Sequence, residues 1–244
     1  MPEVPDVSLL EGLATTRAIR RFHPDPIPDD DLSSIMWHAT RAPSGSNRQP
    51  TRFIVLRDGE RAVQAKALLG HAFREAWGEK RAQEKYDEGS GSDPTSPKAR
   101  MASAMQQFVD RFEEIPVVVL VCVHYFPYRA DTISAGAGVY PACQNLLLAA
   151  RAHGYGGVLT MWHYLVENEL RELLEIPASI PIAATIALGR PQGRHGPVRR
   201  RPLAQVVYDD QWGTSATWAV DPPGTRFAGG PRPGPRPGSR QGDS

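Results

Sequence analysis

The chain has 244 residues, of which 41% are hydrophobic and 23% are charged, and its formal net charge is +1. This composition suits one fair-sized globular domain or two small ones, and the near-neutral charge argues against bulk attraction to nucleic acid or anionic membranes. No apolar stretch has the length of a membrane span, and residues 1–12 lack the pattern of a signal peptide. Cys122 and Cys143 fall in apolar segments. We therefore expect a soluble cytoplasmic protein with reduced cysteines.

The N-terminal segment predicts a short helix followed by a cluster of arginines. Ser8 to Glu11 form a capping-box pattern, which favours a helix running to about Thr16. Three arginines follow within five residues: Arg17, Arg20 and Arg21. Their planar guanidinium groups suit phosphate oxygens, although such a cluster can also be a solvated charged face.

The remaining pattern predicts a mixture of helices and strands. Helical spacing and start signals predict helices at residues 28–41, 60–77, 99–112, 134–153 and 167–174. Apolar, β-branched runs predict strands at residues 53–56, 117–123, 158–160 and 182–188. This order lacks the regular alternation of a doubly wound sheet, so it indicates an α+β fold.

The most apolar helix is predicted between Ser134 and Gly154. Small or apolar residues occupy both of its faces, so we expect the helix to be buried nearly all round, at the centre of the protein or in a subunit interface. Gly154 should end the helix, and the chain then turns into the strand that includes Leu159 and Thr160.

The chain is divided on composition into one domain, a variable excursion and a tail. Residues 1–220 form the predicted domain. Residues 80–98 are charged and then rich in Gly, Ser and Pro, which favours a mobile surface excursion. Residues 221–244 are rich in Pro, Gly and Arg and are predicted to be disordered.

Several common kinds of site have no motif in the sequence. There is no P-loop, no G-x-G-x-x-G at a strand-to-helix turn and no nucleophile elbow, and the seven histidines lack paired ligand spacing. We expect no metal site, and His163 is the only histidine that merits examination as catalytic or structural. Three features remain for an anionic partner: the first arginine cluster, the polar loop at Ser44 to Gln49, and Arg199 to Arg201.

The sequence resembles the FMN-dependent nitroreductase family. The resemblance rests on four segments in the family's order: TTRAIRRF at 15–22, APSGSNRQPTRFIVL at 42–56, YPACQNLLLAARAHGYGGVLT at 140–160, and LGRP with RRRPLAQVV between 188 and 207. They spread over roughly residues 8 to 212. By the resemblance, residues 70–98 form a variable, lid-like excursion, because the family varies its lid there. Two positions depart from the family pattern, because Thr16 and Ala18 replace the usual arginine and serine and so remove one phosphate contact and one hydroxyl contact.

The resemblance implies a nitroreductase-like α+β fold with a central mixed or antiparallel sheet flanked by helices, in an intertwined homodimer with two FMN sites at the interface. Arg17, Arg199 and Arg200 would bind the phosphate end, Arg20 would lie at the pyrimidine edge of the ring, and main chain at Leu159 and Thr160 would approach N5. The partner subunit would supply its polar loop. The complete set of cofactor-binding positions is Arg17, Ala18, Arg20, Ser44, Ser46, Asn47, Gln49, Leu159, Thr160, Arg199 and Arg200.

The resemblance also implies a ping-pong oxidoreductase. NAD(P)H would deliver hydride to FMN, and a nitroaromatic, quinone or related small aromatic acceptor would take the electrons. The cofactor carries this chemistry, so no protein nucleophile or acid-base pair is required, and Arg20 would act as an electrostatic stabiliser. Two alternatives stay open: a specialised member that cleaves flavin or dehalogenates aromatics, and a non-enzymatic protein that binds flavin or, through its basic C-terminal segments, nucleic acid.

Overall fold

The computed structural model describes residues 7–124 and 133–227. The chain divides into two compact units, residues 1–196 and residues 197–244. The described part of the first unit contains six α-helices: α1 (Leu9–Thr15), α2 (Asp29–Ala39), α3 (Glu60–Gln83), α4 (Pro97–Asp110), α5 (Tyr140–Ala152) and α6 (Glu167–Leu173). It also contains four strands: β1 (Thr51–Leu56), β2 (Val117–Val123), β3 (Gly156–Thr160) and β4 (Ile182–Gly189).

The four strands form one antiparallel sheet in the order β1-β2-β4-β3. Strand β2 lies inside the sheet and is buried on both faces, which its continuous run of β-branched and apolar residues predicts. Val118 and Leu120 pack into the core with α3 and α4, whereas Val117 and Val119 pack into a second core with α2 and α5. The α+β fold with a helix-flanked sheet is therefore confirmed.

Helix α5 differs from its prediction in its start and in its burial. Residues Ile133–Gly138 form a 3₁₀ helix, and the α-helix begins only at Tyr140. Gly136 and Gly138 are weak helix formers, while Pro141 is favoured in a first helical turn. Within one chain the helix is also not buried all round, since Tyr140 is exposed and residues 147–149 are only half-buried. The apolar sequence of α5 predicts that its faces are shielded from water. It does not predict whether the same chain or a second chain shields them.

Helix α3 is longer than predicted, because it continues past Trp77 to Gln83. Residues 78–83 contain good helix formers and no proline, so the charged composition did not end the helix. Phe73 and Trp77 are fully buried in the core, although both lie in the segment predicted as a variable excursion.

The turn after α3 is held by several contacts. Arg81 forms a two-pronged ion pair with Asp87, at 2.9 and 2.8 Å. The Lys98 ammonium donates to the Lys85 carbonyl at 2.6 Å and lies over the Tyr86 ring. The Tyr86 side chain is buried against Trp77. The middle of the predicted excursion is thus attached to the helical layer through Tyr86.

The second unit is described from residue 197 to residue 227. It contains a short 3₁₀ helix, Leu203–Gln205, and the Leu203 amide donates to the Asp221 carboxylate at 3.1 Å. A parallel bridge pairs Arg200 with Phe227. The predicted disordered tail begins within this described region, and its residues 228–244 lie outside the described residues.

Two simpler expectations can be compared with the structure. Cys122 and Cys143 are buried and free, as predicted. In the ranges that the structure describes, no helix is long and apolar enough to cross a membrane.

Gly157 offers a test of how closely β3 packs. A Cβ at this position would lie 2.6 Å from Leu188 Cδ2 and 2.7 Å from the Ala187 carbonyl oxygen. We expect Gly157→Ala to lower the free energy of unfolding by roughly 1–3 kcal/mol, because neighbouring groups of the sheet must move. Urea denaturation followed by circular dichroism measures this change.

The matched control is Gly193→Ala, since a Cβ there meets no atom within 4 Å. This variant should be as stable as the parent protein. If Gly157→Ala and Gly193→Ala unfold at the same urea concentration, β3 tolerates the added methyl group. That result would contradict the close packing of Gly157.

Candidate functional site

The first arginine cluster lies along the free edge of β3. The Ile19 amide donates to the Gly157 carbonyl at 2.9 Å, and the Ile19 side chain is buried. A Cβ on Gly156 would lie 2.6 Å from Ile19, so glycine permits this close approach. Farther along, the His23 amide donates to the Arg190 carbonyl at 2.9 Å. The segment that carries Arg17 and Arg20 is thereby fixed beside the sheet.

Strand β3 is an outer strand, so one of its edges is available to a ligand. Main-chain groups of an antiparallel strand alternate between its two edges. Because the Gly157 carbonyl faces the arginine segment, the main-chain groups of Leu159 face the same edge, two residues farther along. This arrangement places hydrogen-bonding main chain next to Arg20.

A cavity of about 500 Å³ adjoins this edge. Arg20, Leu159 and Thr160 line one part of it. The other part is formed mainly by aromatic rings and thioethers from α3, α4 and their surroundings: Trp77, Tyr86, Phe108, Trp162, Met101 and Met105. A flat, largely apolar ligand with polar edges fits such a lining.

Arg20 is the most informative side chain in the cavity. It is half-buried, and it has no hydrogen-bond or ion-pair partner among the residues that the structure describes. Burial lowers the pKa of its guanidinium, partly offset by the nearby Tyr86. Burial also raises the pKa of Tyr86 to about 12, together with a hydrogen bond to Glu84. A half-buried guanidinium that meets no acceptor among the described residues is suited to a ligand that brings hydrogen-bond acceptors or negative charge to Arg20.

Arg17 lies at the other end of the same segment. Its side chain is exposed and donates to the Arg194 carbonyl at 2.6 Å, and Ala18 beside it is exposed as well. The neighbouring His195 contacts the Tyr155 carbonyl at 3.3 Å through Nε2, and burial lowers its pKa. In an extended segment, positions three residues apart are separated by roughly 10 Å. Arg17 therefore lies roughly one such spacing from Arg20 and is not among the residues that line the cavity.

The polar loop before β1 forms a tight, ordered turn. Ser46, Asn47 and Gln49 have positive φ values of 52°, 52° and 50°. The Ser44 hydroxyl accepts from the Gln49 amide at 2.9 Å, which closes the turn. Non-glycine residues in this left-handed region are costly and concentrate at functional sites.

The structure does not bring this loop to Arg20 within one chain. The loop leads into β1, whereas the arginine segment flanks β3, and these are the two outer strands of the sheet. Three strand spacings separate them by roughly 14 Å. Ser44 and Gln49 line a different, smaller cavity of about 160 Å³, next to Gly138.

Two further predictions concern basic residues and a histidine. Arg199 and Arg200 belong to the second unit, where both are exposed and the Arg200 guanidinium donates to the Arg199 carbonyl at 2.9 Å. His163 is buried in the first unit, and its Nε2 lies 2.8 Å from the Ile182 carbonyl. Burial lowers the pKa of His163, and it is absent from the cavity lining, so its role is structural.

The aromatic wall of the cavity was not predicted from the sequence. Trp77 and Phe108 were placed on helices, but only the pairing of α3 with α4 turns them toward one space. Tyr86 is an isolated aromatic residue in a charged and Gly-rich stretch. This contrast could have indicated that the segment packs against the protein near the site. Lys80 was assigned to the surface and also lines the cavity.

Comparison with known proteins places this fold and site among relatives. The family model described as the nitroreductase family matches residues 13–190. An NADH dehydrogenase of Thermus thermophilus is 30% identical over 193 residues, which cover 78% of this chain and 90% of the relative. Nitroreductase NfnB of Mycolicibacterium smegmatis is 30% identical over 174 residues, covering 63% of this chain and 72% of the relative.

A solved structure from Desulfovibrio desulfuricans, determined in complex with FMN, superimposes with a TM-score of 0.56 at 25% identity. The match covers 83% of this chain and 96% of that chain. The family model includes the arginine segment, the polar loop and β3, which are the parts that form the candidate site. The chain therefore belongs to the nitroreductase family.

Proposed function

We propose that this protein is an FMN-dependent oxidoreductase that passes electrons from NAD(P)H to nitroaromatic, quinone or related aromatic acceptors. The enzyme class and the cofactor agree with the relatives, among which are an NADH dehydrogenase and a structure that holds FMN. The acceptors and the ping-pong order of the reaction are proposals. They rest on the family resemblance and on the shape and charge of the cavity beside β3.

The observation that carries the proposal is the half-buried guanidinium of Arg20 at the outer edge of β3, which has no hydrogen-bond or ion-pair partner within residues 7–124 and 133–227. A flavin ring is flat and largely apolar, and its pyrimidine edge carries carbonyl oxygens. Arg20 supplies a donor for such an edge, and main chain at Leu159 supplies further hydrogen-bonding groups in the same cavity. These groups fit the polar edge of FMN in their chemistry.

The chain itself provides positioning and electrostatics in this mechanism. The redox chemistry, hydride uptake from NAD(P)H and electron delivery to the acceptor, would be supplied by bound FMN. Arg20 places positive charge where it favours the arrival of electrons, and its effect is strong because the half-buried cavity has a lower dielectric than water. Arg17 holds the distant end of the cofactor. By the resemblance, Arg199 and Arg200 would join it at the phosphate, and this assignment stays a prediction.

The polar loop supports a homodimer as the active form. Ser44 and Gln49 cannot contact a ring held at Leu159 of the same chain, since the two lie at opposite edges of the sheet. A partner subunit would bring its loop to the Arg20 cavity and would cover the half-buried apolar face of α5. Each active site would then contain residues from both chains.

Purified protein should be yellow and should show the absorbance bands of oxidised flavin. NADH or NADPH should bleach these bands under anaerobic conditions, and an added nitroaromatic or quinone should restore them. Stopped-flow reoxidation by oxygen, nitro compounds and halogenated aromatics separates the general reductase from flavin-cleaving and dehalogenating relatives. Colourless protein that takes up no added FMN would overturn the proposed function.

The variant Arg20→Ala should remain folded but bind FMN more weakly. Its flavin should be reduced roughly 10- to 100-fold more slowly at saturating FMN, because a preorganised cation has been removed from the site. Single-turnover reduction by NAD(P)H in a stopped-flow instrument measures this rate. Arg21→Ala is the matched control, since Arg21 is the adjacent exposed arginine and does not line the cavity. An unchanged rate in Arg20→Ala would remove the electrostatic role.

Mixed dimers test whether the loop comes from the partner subunit. Arg20→Ala and Asn47→Ala chains, each of low activity alone, should regain activity when they are co-expressed and isolated with two different affinity tags. If the sites are shared, one site of the mixed dimer carries both substitutions and the other is intact. Mixed dimers as inactive as either parent would place Arg20 and Asn47 in the same-chain site, and a monomer by light scattering would exclude sharing altogether.

A further inference from the structure

The cavity beside β3 has a second part that the flavin contacts do not use. This part is lined by Trp77, Tyr86, Phe108 and Trp162, with the thioethers of Met101 and Met105 between them. Aromatic rings bind other flat rings by stacking and edge contacts, and methionine adapts to irregular shapes. This wall is therefore suited to an aromatic acceptor.

Lys80 brings a positive charge to the same part of the cavity. It lies three residues after Trp77 on α3, so both side chains lie on one face of the helix. Its ammonium has Glu84 as an ion-pair partner at 3.8 Å, and these side chains are 45% and 54% exposed. So long and exposed a pair is weak, which leaves the ammonium available to a better-placed carboxylate.

The charged side chains that line the cavity are all positive. Arg20 and Lys80 line it, and none of the described residues in its lining is acidic. Glu84, which hydrogen-bonds to the Tyr86 hydroxyl and pairs weakly with Lys80, does not itself line the cavity. Two cations beside apolar walls create a positive potential that attracts anions and repels cations.

We propose that this site selects aromatic acceptors that carry a negative group, such as a carboxylate. The acceptor ring packs against Trp77 and Tyr86, and Lys80 binds the carboxylate and determines the specificity. The inference rests on the proposed function, because it assigns Arg20 and the edge of β3 to the flavin. For a nitrobenzoate, one NAD(P)H and one proton reduce the nitro group to a nitroso group, with release of water and NAD(P)⁺.

Binding of a probe that cannot be reduced tests the inference directly. Benzoate and benzamide are titrated into the oxidised, FMN-loaded protein, and the perturbation of the flavin spectrum gives each Kd. Benzoate should bind at least about tenfold more tightly than benzamide, and this preference should weaken as salt is raised. Equal affinities, or a preference for benzamide, would overturn the inference.

The variant Lys80→Gln should bring the two affinities together, whereas Lys80→Arg should keep most of the preference for benzoate. The control Lys85→Gln removes the same charge from a lysine that pairs with Glu88 and does not line the cavity. It should keep the full preference. A preference that survives Lys80→Gln unchanged, or disappears equally in Lys85→Gln, would show that Lys80 does not select the acceptor.

Steady-state rates provide a second measurement on the same variants. The ratio of kcat/KM for 4-nitrobenzoate to that for 4-nitrobenzamide should fall about tenfold in Lys80→Gln, mainly through KM, because binding is lost but the redox chemistry is not. The ratio compares variants, so the different reduction potentials of the two acceptors cancel. If the protein binds flavin and NAD(P)H bleaches it, but the kcat/KM ratio does not fall in Lys80→Gln, only this inference is contradicted. If the protein binds no flavin, the proposed function is contradicted.

Discussion

The contact between Ile19 and the outer edge of β3 determines where the candidate site lies. One main-chain hydrogen bond joins Ile19 to Gly157, and the buried Ile19 side chain packs where Gly156 has no side chain. Together they fix Arg17 and Arg20 along a strand whose remaining edge is open. Without this pairing the arginines would be ordinary surface charges, and the aromatic wall of α3 and α4 would face an unoccupied part of the sheet.

The sheet also explains why one chain supplies only part of the proposed site. The polar loop costs free energy to form, because three of its residues adopt the left-handed conformation, yet it lies at the edge opposite Arg20. The apolar face of α5 is likewise only half-covered by its own chain. Both features are explained if a second copy of the chain supplies the missing surface and receives the loop. The proposed homodimer would account for both features with one arrangement of the two chains.

Much of the fold could be predicted from the sequence, and the limits have physical causes. Strand β2 was predicted to the residue, because a run of β-branched side chains bounded by Pro116 permits few other structures. The end of α3 was missed because charge alone does not end a helix, and the 3₁₀ turn before α5 was missed because its glycines were counted as small helical residues. Arg20 and Leu159, which the family motifs assign to one flavin ring, line the same cavity, whereas the positions of Trp77 and Tyr86 depend on tertiary packing that no local pattern records.

The energetics of Arg20 connect stability with function in this protein. The half-buried guanidinium of Arg20 has lost part of its hydration, and this burial lowers its pKa. A cofactor that supplies acceptors to Arg20 compensates for this loss, and its binding free energy is therefore added to the stability of the native state. In the proposed function, the same positive charge would make the cofactor-loaded cavity a good environment for accepting electrons. One side chain would thereby link the stability of the protein to its redox chemistry.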